Sequence, residues 1–330
     1  MTNTTLKLLA QQLQLSISTV SRALKDHPDI SASTKAKVNA LAQSLDYEPN
    51  AYAIQLRTQN SKILGVIVPA ISNLFYDSFI AAVEEESRNN GYALMILQSS
   101  HKPENELDNL KIFRQNRVSG VFACLSSSAE NLEVYKKMNE RDIPVVFFDI
   151  VPKDNHYTKV RMADERCAIM AAEKIIKRNA KKVLAIFGDE ALSITQKRKS
   201  AFQKFMFDFA PKIHCTFAHA TSSREAEEFT KKYAGKTQKP DTVFCMTDEI
   251  LIGVMKAIQE LEIKVPSEIG VISISNGFIP NLYYPHISYV ETSGHELGKL
   301  AFIQMLANIK GGKTLTELTV DAKYVEGGSM

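Results

Sequence analysis

From residue 63 onward, short apolar runs alternate with stretches of helical periodicity, and this alternation constrains the fold more than any other feature of the chain. The runs fall at 63–68, 93–97, 121–124 and 145–148, with a second series at 183–187, 213–217, 242–246 and 269–274. Helical stretches fill the gaps, in the second series near 166–179, 195–208, 223–235 and 248–261. A run of a few Val, Ile, Leu and Phe side chains, too short for a helix and apolar throughout, reads as a strand covered on both faces. Strands joined through helices pair in parallel. The two series therefore predict two doubly wound parallel-sheet lobes. Sheets of this kind bind ligands at the carboxyl ends of their strands, and two lobes together make a cleft. The residues there are the 69–75 segment ending in Phe75, Ser126 and Ser127, Asp149, and in the second lobe Arg198 and Asp248. Phe75 can supply an apolar wall; the two carboxylates can accept hydroxyl protons or, equally, cap a strand end or pair across the lobes.

Before residue 63 the pattern is purely helical. Leu6, Leu9, Ala10 and Leu13 share one face of a first helix, near 5–13. After the break at Gln14, Leu15 and Ser16, a second helix begins with Ser16 as its cap and Val20, Ala23 and Leu24 inside. Ile17, Ser18, Ser21, Arg22 and Lys25 stay outside. Ser31 or Ser33 caps a third helix whose inner stripe is Val38, Leu41, Ala42 and Leu45. Charge is divided in the same way. Residues 1–62 hold seven basic side chains against four acidic ones, which accounts for the whole net charge of +3, and the remainder is balanced. A tight helical pair whose second member shows small hydroxyls, an Arg and a Lys suits the major groove of DNA, although spacing alone allows any small three-helix bundle. Pro49 then stops the preceding segment, and Asn50 can cap a short helix over 51–57 that is too short to persist alone in water.

The run Ser16-Ile17-Ser18-Thr19-Val20-Ser21-Arg22-Ala23-Leu24, followed by Asp46-Tyr47-Glu48-Pro49-Asn50 and Leu56-Arg57, resembles the headpiece of the lactose/galactose repressor family. The later strand–helix series resembles the periplasmic-binding-protein-like core of the same family, so the likeness spans essentially the full chain. It implies a helix-turn-helix headpiece (1–48), a hinge helix and linker (49–62), and a two-lobed effector-binding and dimerisation domain (63–330). It also implies that Ile17, Ser18 and Arg22 read bases, that Ser16, Thr19 and Ser21 meet the DNA backbone, and that Asn50, Ala53, Leu56 and Arg57 belong to a hinge that docks in the minor groove with its twin. Leu56 matches the family's wedge between base pairs. An isoleucine as first reader points to apolar contact with a thymine methyl. Asp149, Arg198 and Asp248 match positions that line the family's effector pocket.

Three departures bear on that pocket and headpiece. The family usually carries acidic residues after the strand at 269–272, where this chain reads Ser273-Ile274-Ser275-Asn276. Ser275 and Asn276 can still hydrogen-bond a polyol, but an altered or vestigial pocket is an open alternative. There is no tryptophan to stack on a ligand. Gln14 and Asp46 stand where relatives tend to have glycine, and glutamine tolerates a left-handed backbone poorly.

The expected function is sequence-specific transcription regulation, as a repressor. The expected partners are a near-palindromic double-stranded DNA operator, a second copy of the chain, and a small carbohydrate-like effector. A cytoplasmic small-molecule binding protein is the other alternative. The chain shows no nucleophile elbow, P-loop or metalloprotease motif, and its four cysteines are widely spaced, so no enzyme activity, cofactor or metal is expected. No signal peptide or apolar run of membrane-spanning length is present, and the expected location is cytoplasmic, without a membrane.

Overall fold

The computed structural model describes residues 5–47, 61–126, 131–234, 239–312 and 317–330. The polypeptide divides into two compact units, Met1–Ser61 and Lys62–Met330.

Among its described residues, the first unit holds three helices, α1 (Leu6–Gln12), α2 (Ile17–Ala23) and α3 (Ala32–Ser44). Each starts on a hydroxyl cap. The side-chain oxygens of Thr5, Ser16 and Ser31 accept from the backbone N–H of Leu8, Thr19 and Thr34, satisfying donors that the helix itself cannot. Leu9, Ala10, Val20, Ala23, Val38 and Ala42 form the core, with Leu6, Leu13, Leu24, Leu41 and Leu45 packed around it. Both turns that end in a family glycine position are left-handed here, with φ of 53° at Gln14 and 49° at Asp46.

The described residues of the second unit form two six-stranded sheets with corresponding strand orders. In lobe 1, β1 (Ile63–Val68), β2 (Ala93–Gln98), β3 (Gly120–Ala123), β4 (Val145–Phe148) and β5 (Thr158–Met162) alternate with α4 (Leu74–Asn89), α5 (Pro103–Gln115) and α6 (Leu132–Asn139). The chain then crosses at Ala163 into α7 (Asp164–Lys177), which packs on lobe 2. That lobe is built from β6 (Lys182–Phe187), α8 (Ser193–Phe209), β7 (His214–His219), α9 (Ser223–Ala234), β8 (Thr242–Cys245), α10 (Asp248–Glu260), β9 (Gly270–Ser275) and β10 (Ser288–Glu291). At 292–293 the chain returns to lobe 1 as α11 (Gly294–Ile309). Strands β11 (Glu317–Val320) and β12 (Lys323–Val325) close the edges of lobes 1 and 2 in turn.

The spatial order is β2-β1-β3-β4-β5-β11 in one sheet and β7-β6-β8-β9-β10-β12 in the other, all parallel except β12. Order reverses at β1/β3 and at β6/β8, where doubly wound sheets open a crevice at their carboxyl ends. Aromatic stacking fixes each core: Phe79 lies on Phe148 with ring centroids 3.7 Å apart, and Phe202 on Phe244 at 4.8 Å.

The return helix α11 sits unusually close to α4. A Cβ on Gly294 would stand 2.3 Å from the Phe75 carbonyl oxygen, and one on Gly298 2.8 Å from that of Phe79. Two glycines one turn apart thus let the helix backbones touch, tying the second crossing to the start of α4.

Candidate functional site

In the headpiece, Ile17, Ser18, Ser21, Arg22 and Lys25 fall within an arc of about 140° at 100° per residue, away from the side of the buried Val20 and Ala23 and the half-buried Leu24. Ile17 is 48% exposed, and Ser16, Ser18, Arg22 and Lys25 are exposed as well; Thr19 and Ser21 are half-buried. The Ser16 Oγ lies 2.7 Å from Ser18 Oγ and 2.8 Å from Thr19 Oγ1, so the hydroxyls cluster at the amino end of α2. An exposed apolar side chain beside hydroxyls and a cation is a surface that can meet both base edges and phosphates. The hinge residues Asn50, Ala53, Leu56 and Arg57 lie outside the described residues, as does Ser127.

The strand ends of the second unit carry two polar clusters. In the first, Asp149 follows β4 in a left-handed conformation, φ 57°, and is 8% exposed. Its Oδ2 accepts from the Tyr76 hydroxyl at 2.8 Å, and Cys124 lies against the same pair. Arg198, on α8, is 5% exposed and places both Nε and Nη2 2.9 Å from Oδ1 of Asp164, itself 2% exposed; its Nη1 donates to the Met246 carbonyl at 3.2 Å. Burial, and then the Asp164 charge, push the Asp149 carboxyl up to about 6, against the lowering effects of the Tyr76 hydrogen bond and Arg198. Burial also raises Asp164, opposed by the Arg198 guanidinium.

In the second cluster, Asp248 opens α10, accepts from the Ser275 hydroxyl, and lies 3.4 Å from the Asn276 N–H. Burial raises its carboxyl, opposed by those two donors. The Asn276 side-chain amide donates to the Leu74 carbonyl across the lobes at 3.2 Å. Phe75, half-buried, stands next along α4 and meets the Tyr76 ring edge-on. Apolar contacts run the same way: Leu74 of lobe 1 packs on the lobe 2 core, and Leu192 and Ile194 of lobe 2 pack on the lobe 1 core.

Asp149 and Arg198 thus share one cluster, and Asp248, Ser275 and Asn276 the other; the Met246 carbonyl links Arg198 to the strand that leads to Asp248. Ser126 is placed differently. It is buried, its N–H donates to the Glu106 carboxylate at 2.7 Å, its carbonyl lies 3.2 Å from His101 Nδ1, and among the described residues its hydroxyl has no hydrogen-bond partner. Sequence reasoning missed Tyr76 and Asp164. Asp164 carried one usable signal, an acid at the first position of a helix directly after a strand. Among the described residues, no group of three or more His, Cys, Asp or Glu is placed to hold a metal ion, and no helix is long and apolar enough to cross a membrane.

A helix-turn-helix unit followed by a two-lobed α/β unit defines a DNA-binding regulator with a ligand-sensing fold. Residues 5–50 match the model for bacterial regulatory proteins of the lacI family, and residues 172–330 the model for a periplasmic binding protein-like domain. An HTH-type transcriptional regulator RegA from Clostridium saccharobutylicum is 26% identical over 318 residues, covering 95% of each chain. Catabolite control protein A from Staphylococcus epidermidis is 26% identical over 291 residues, covering 88% of each. The fold is also that of a lac repressor dimer crystallised with operator and the anti-inducer ONPF, with a TM-score of 0.89, 19% identity, and coverage of 99% of this chain and 98% of that one. With a headpiece that matches the lacI-family model and a periplasmic binding protein-like domain behind it, the chain is a DNA-binding transcription regulator similar along nearly its whole length to regulators of that kind.

Proposed function

We propose that this chain is a repressor that binds a near-palindromic operator as a homodimer in the cytoplasm, with DNA affinity set by the state of its two lobes. The outward face of α2 carries this reading: exposed Ile17, Ser18 and Arg22 beside the hydroxyls of Ser16, Thr19 and Ser21. One small headpiece offers little contact area, and a two-fold pair reading two half-sites supplies the rest. The exposed Phe278, Leu282 and Tyr284 of lobe 2 support a second copy, since a soluble monomer gains nothing from three large apolar side chains so close together in water. Residues 1–48 then serve as headpiece, 49–62 as hinge and 63–330 as sensing and dimerisation domain. Operator titration at one salt concentration tests this, with Arg22→Ala expected to cost about 1–3 kcal/mol of discrimination over random duplex. An unchanged ratio of operator to random affinity in that variant would reject the assignment.

For the effector, the reading is a small carbohydrate-like polyol held by Asp149, Arg198, Asp248, Ser275 and Asn276 against Phe75, with Ser126 beyond it. A second reading rests on a specific observation: Asp164 holds Arg198, Ser275 holds Asp248, and Tyr76 holds Asp149. Groups that would greet a ligand already have partners within the chain, which suits a regulator whose pocket is vestigial. Thermal shift against a panel of neutral sugars separates the two. A saturable rise with any of them supports the first reading, and a flat response across the panel supports the second.

A further inference from the structure

Among the described residues, the first of the two polar clusters carries two carboxylates, Asp149 and Asp164, and one guanidinium, Arg198. Asp149 belongs to lobe 1, whereas Asp164 and Arg198 stand on α7 and α8 of lobe 2. Arg198 directs Nε and Nη2 to a single Asp164 oxygen, so its charge is committed there. The groups facing Asp149 are Tyr76 from α4, Cys124 from the end of β3, Asp164 from α7 and Arg198 from α8. Burial keeps the Tyr76 phenol and the Cys124 thiol neutral, raising both well above their ordinary values. Arg161 on β5 and Lys197 on α8 act on Asp164, which adds to its hold on a negative charge. One surplus negative charge therefore remains, in a place nearly closed to water, and such a charge is removed most cheaply by a proton.

We propose that closing the two lobes takes up one proton at Asp149, making the inter-lobe equilibrium a pH switch built into the fold. Asp164 keeps its charge because it is bonded to Arg198, so of the two coupled acids the proton falls to Asp149. Opening the lobes would return water to Asp149 and take Asp164 away, restoring an ordinary carboxyl. The closed form then binds the proton more tightly than the open form. Its sign follows by linkage: closure is favoured as pH falls through about 6 towards 4, and penalised above 6, where the closed form must bury the anion. With an ordinary value of 3.8 in the open form and about 6 in the closed form, the full range is about 100-fold in the closed-to-open ratio.

The test uses the full chain without DNA or added ligand, spin-labelled at Ile71→Cys and Ala191→Cys, which are exposed and follow β1 and β6 at the mouths of the two lobes. Cys215, the half-buried native thiol, is replaced by serine; the other three are buried. Dipolar distance measurement from pH 8 to pH 5 should show the short-distance population flat above about pH 6.5 and growing below it, by about tenfold in closed-to-open ratio at pH 5. Asp149→Asn should hold the short distance at every pH. Asp164→Asn frees Arg198 to pair with Asp149 and should move the response below pH 5, which serves if the first variant does not fold. A distance distribution that ignores pH in the native sequence, or a response that survives unchanged in either variant, overturns the proposal.

Discussion

Arg198 rests two of its nitrogens on one oxygen of Asp164, each at 2.9 Å, and the pair is almost wholly out of water. A buried ion pair adds little net stability, because both partners lose hydration, yet removing one partner strands the other. Arg198→Leu would leave Asp164 and Asp149 together without the guanidinium bonded to Asp164, with only the weaker influence of Arg161 and Lys197 on Asp164. The expected loss is about 3–5 kcal/mol in urea unfolding of the two-lobed unit, with Arg198→Lys milder because charge survives while the two-nitrogen geometry does not. A loss under about 1 kcal/mol for the leucine variant would mean that the acids simply take up protons at little cost.

Gln14 occupies a left-handed backbone position, φ 53°, where a side chain with Cβ is strained by about 1–2 kcal/mol. Glycine removes that strain but adds unfolded-state entropy worth about 0.5–1 kcal/mol. The balance favours Gln14→Gly by roughly 0.5–1 kcal/mol in headpiece stability, read from thermal melting. Asp46, at φ 49°, should gain less from the same change, since a short carboxylate tolerates this region better. Equal gains at both sites would show that side-chain type does not matter there.

Much of the fold was legible because the central strands declare themselves. ILGVIV at 63–68 and KVLAIF at 182–187 are apolar on both faces, as only a covered parallel strand needs to be. β5, β10, β11 and β12 were not foreseen: TKVRM, SYVE, ELTV and KYV are short and mixed in polarity; β11 and β12 are edge strands with exposed residues, whereas β5 and β10, one place further in, are buried despite their polar side chains. The helix beginning at Asp164 was visible in its Ala-rich periodicity, but nothing local says that Cys167, Ala168, Ala171 and Ala172 pack on the second lobe and not the first. For the same reason Asp164 passed unnoticed. Its importance lies in Arg198, 34 residues on, and pairings at that range leave no periodic trace. The outer face of α2 was readable from spacing, whereas the internal partners of Asp149 and Asp248 were not.

Gly294 is the point where the second crossing becomes a helix, and its missing Cβ is what lets α11 meet α4. Alanine there would put a carbon 2.3 Å from both the Phe75 carbonyl oxygen and Ser78 Oγ. Serine can rotate away; backbone cannot. Better helix propensity is worth at most about 1 kcal/mol, less in a first turn, and overpacking against backbone costs about 1–3 kcal/mol or more. Gly294→Ala should therefore destabilise the two-lobed unit by roughly 2 kcal/mol in denaturant unfolding, whereas Gly91→Ala, with open space around it, should cost only its left-handed strain. A stabilised Gly294→Ala would show that the two helices separate freely.

Ile17 gives the sharpest test at the DNA, because its chemistry names its partner. It is 48% exposed on a seven-residue helix whose inner side is already filled by Val20 and Ala23, so it is not needed to complete the core. Among major-groove features only the thymine methyl offers an apolar surface to such a side chain. If the two meet, replacing the contacted thymine by deoxyuridine removes one methyl from the interface, worth about 0.8 kcal/mol or a fourfold loss of affinity. In Ile17→Ala that loss should nearly vanish, since the side chain that valued the methyl is gone, and the two changes together should cost much less than their sum. Random-sequence affinity, which depends on phosphate contacts by the basic residues, should stay the same in both proteins. The competing role, Ile17 as a partly exposed packing residue of the headpiece, predicts otherwise. Ile17→Ala would then lower the melting temperature, and the deoxyuridine penalty would persist at full size. Scanning each thymine of the operator with deoxyuridine against both proteins decides the matter: additivity at every thymine rejects Ile17 as a base reader.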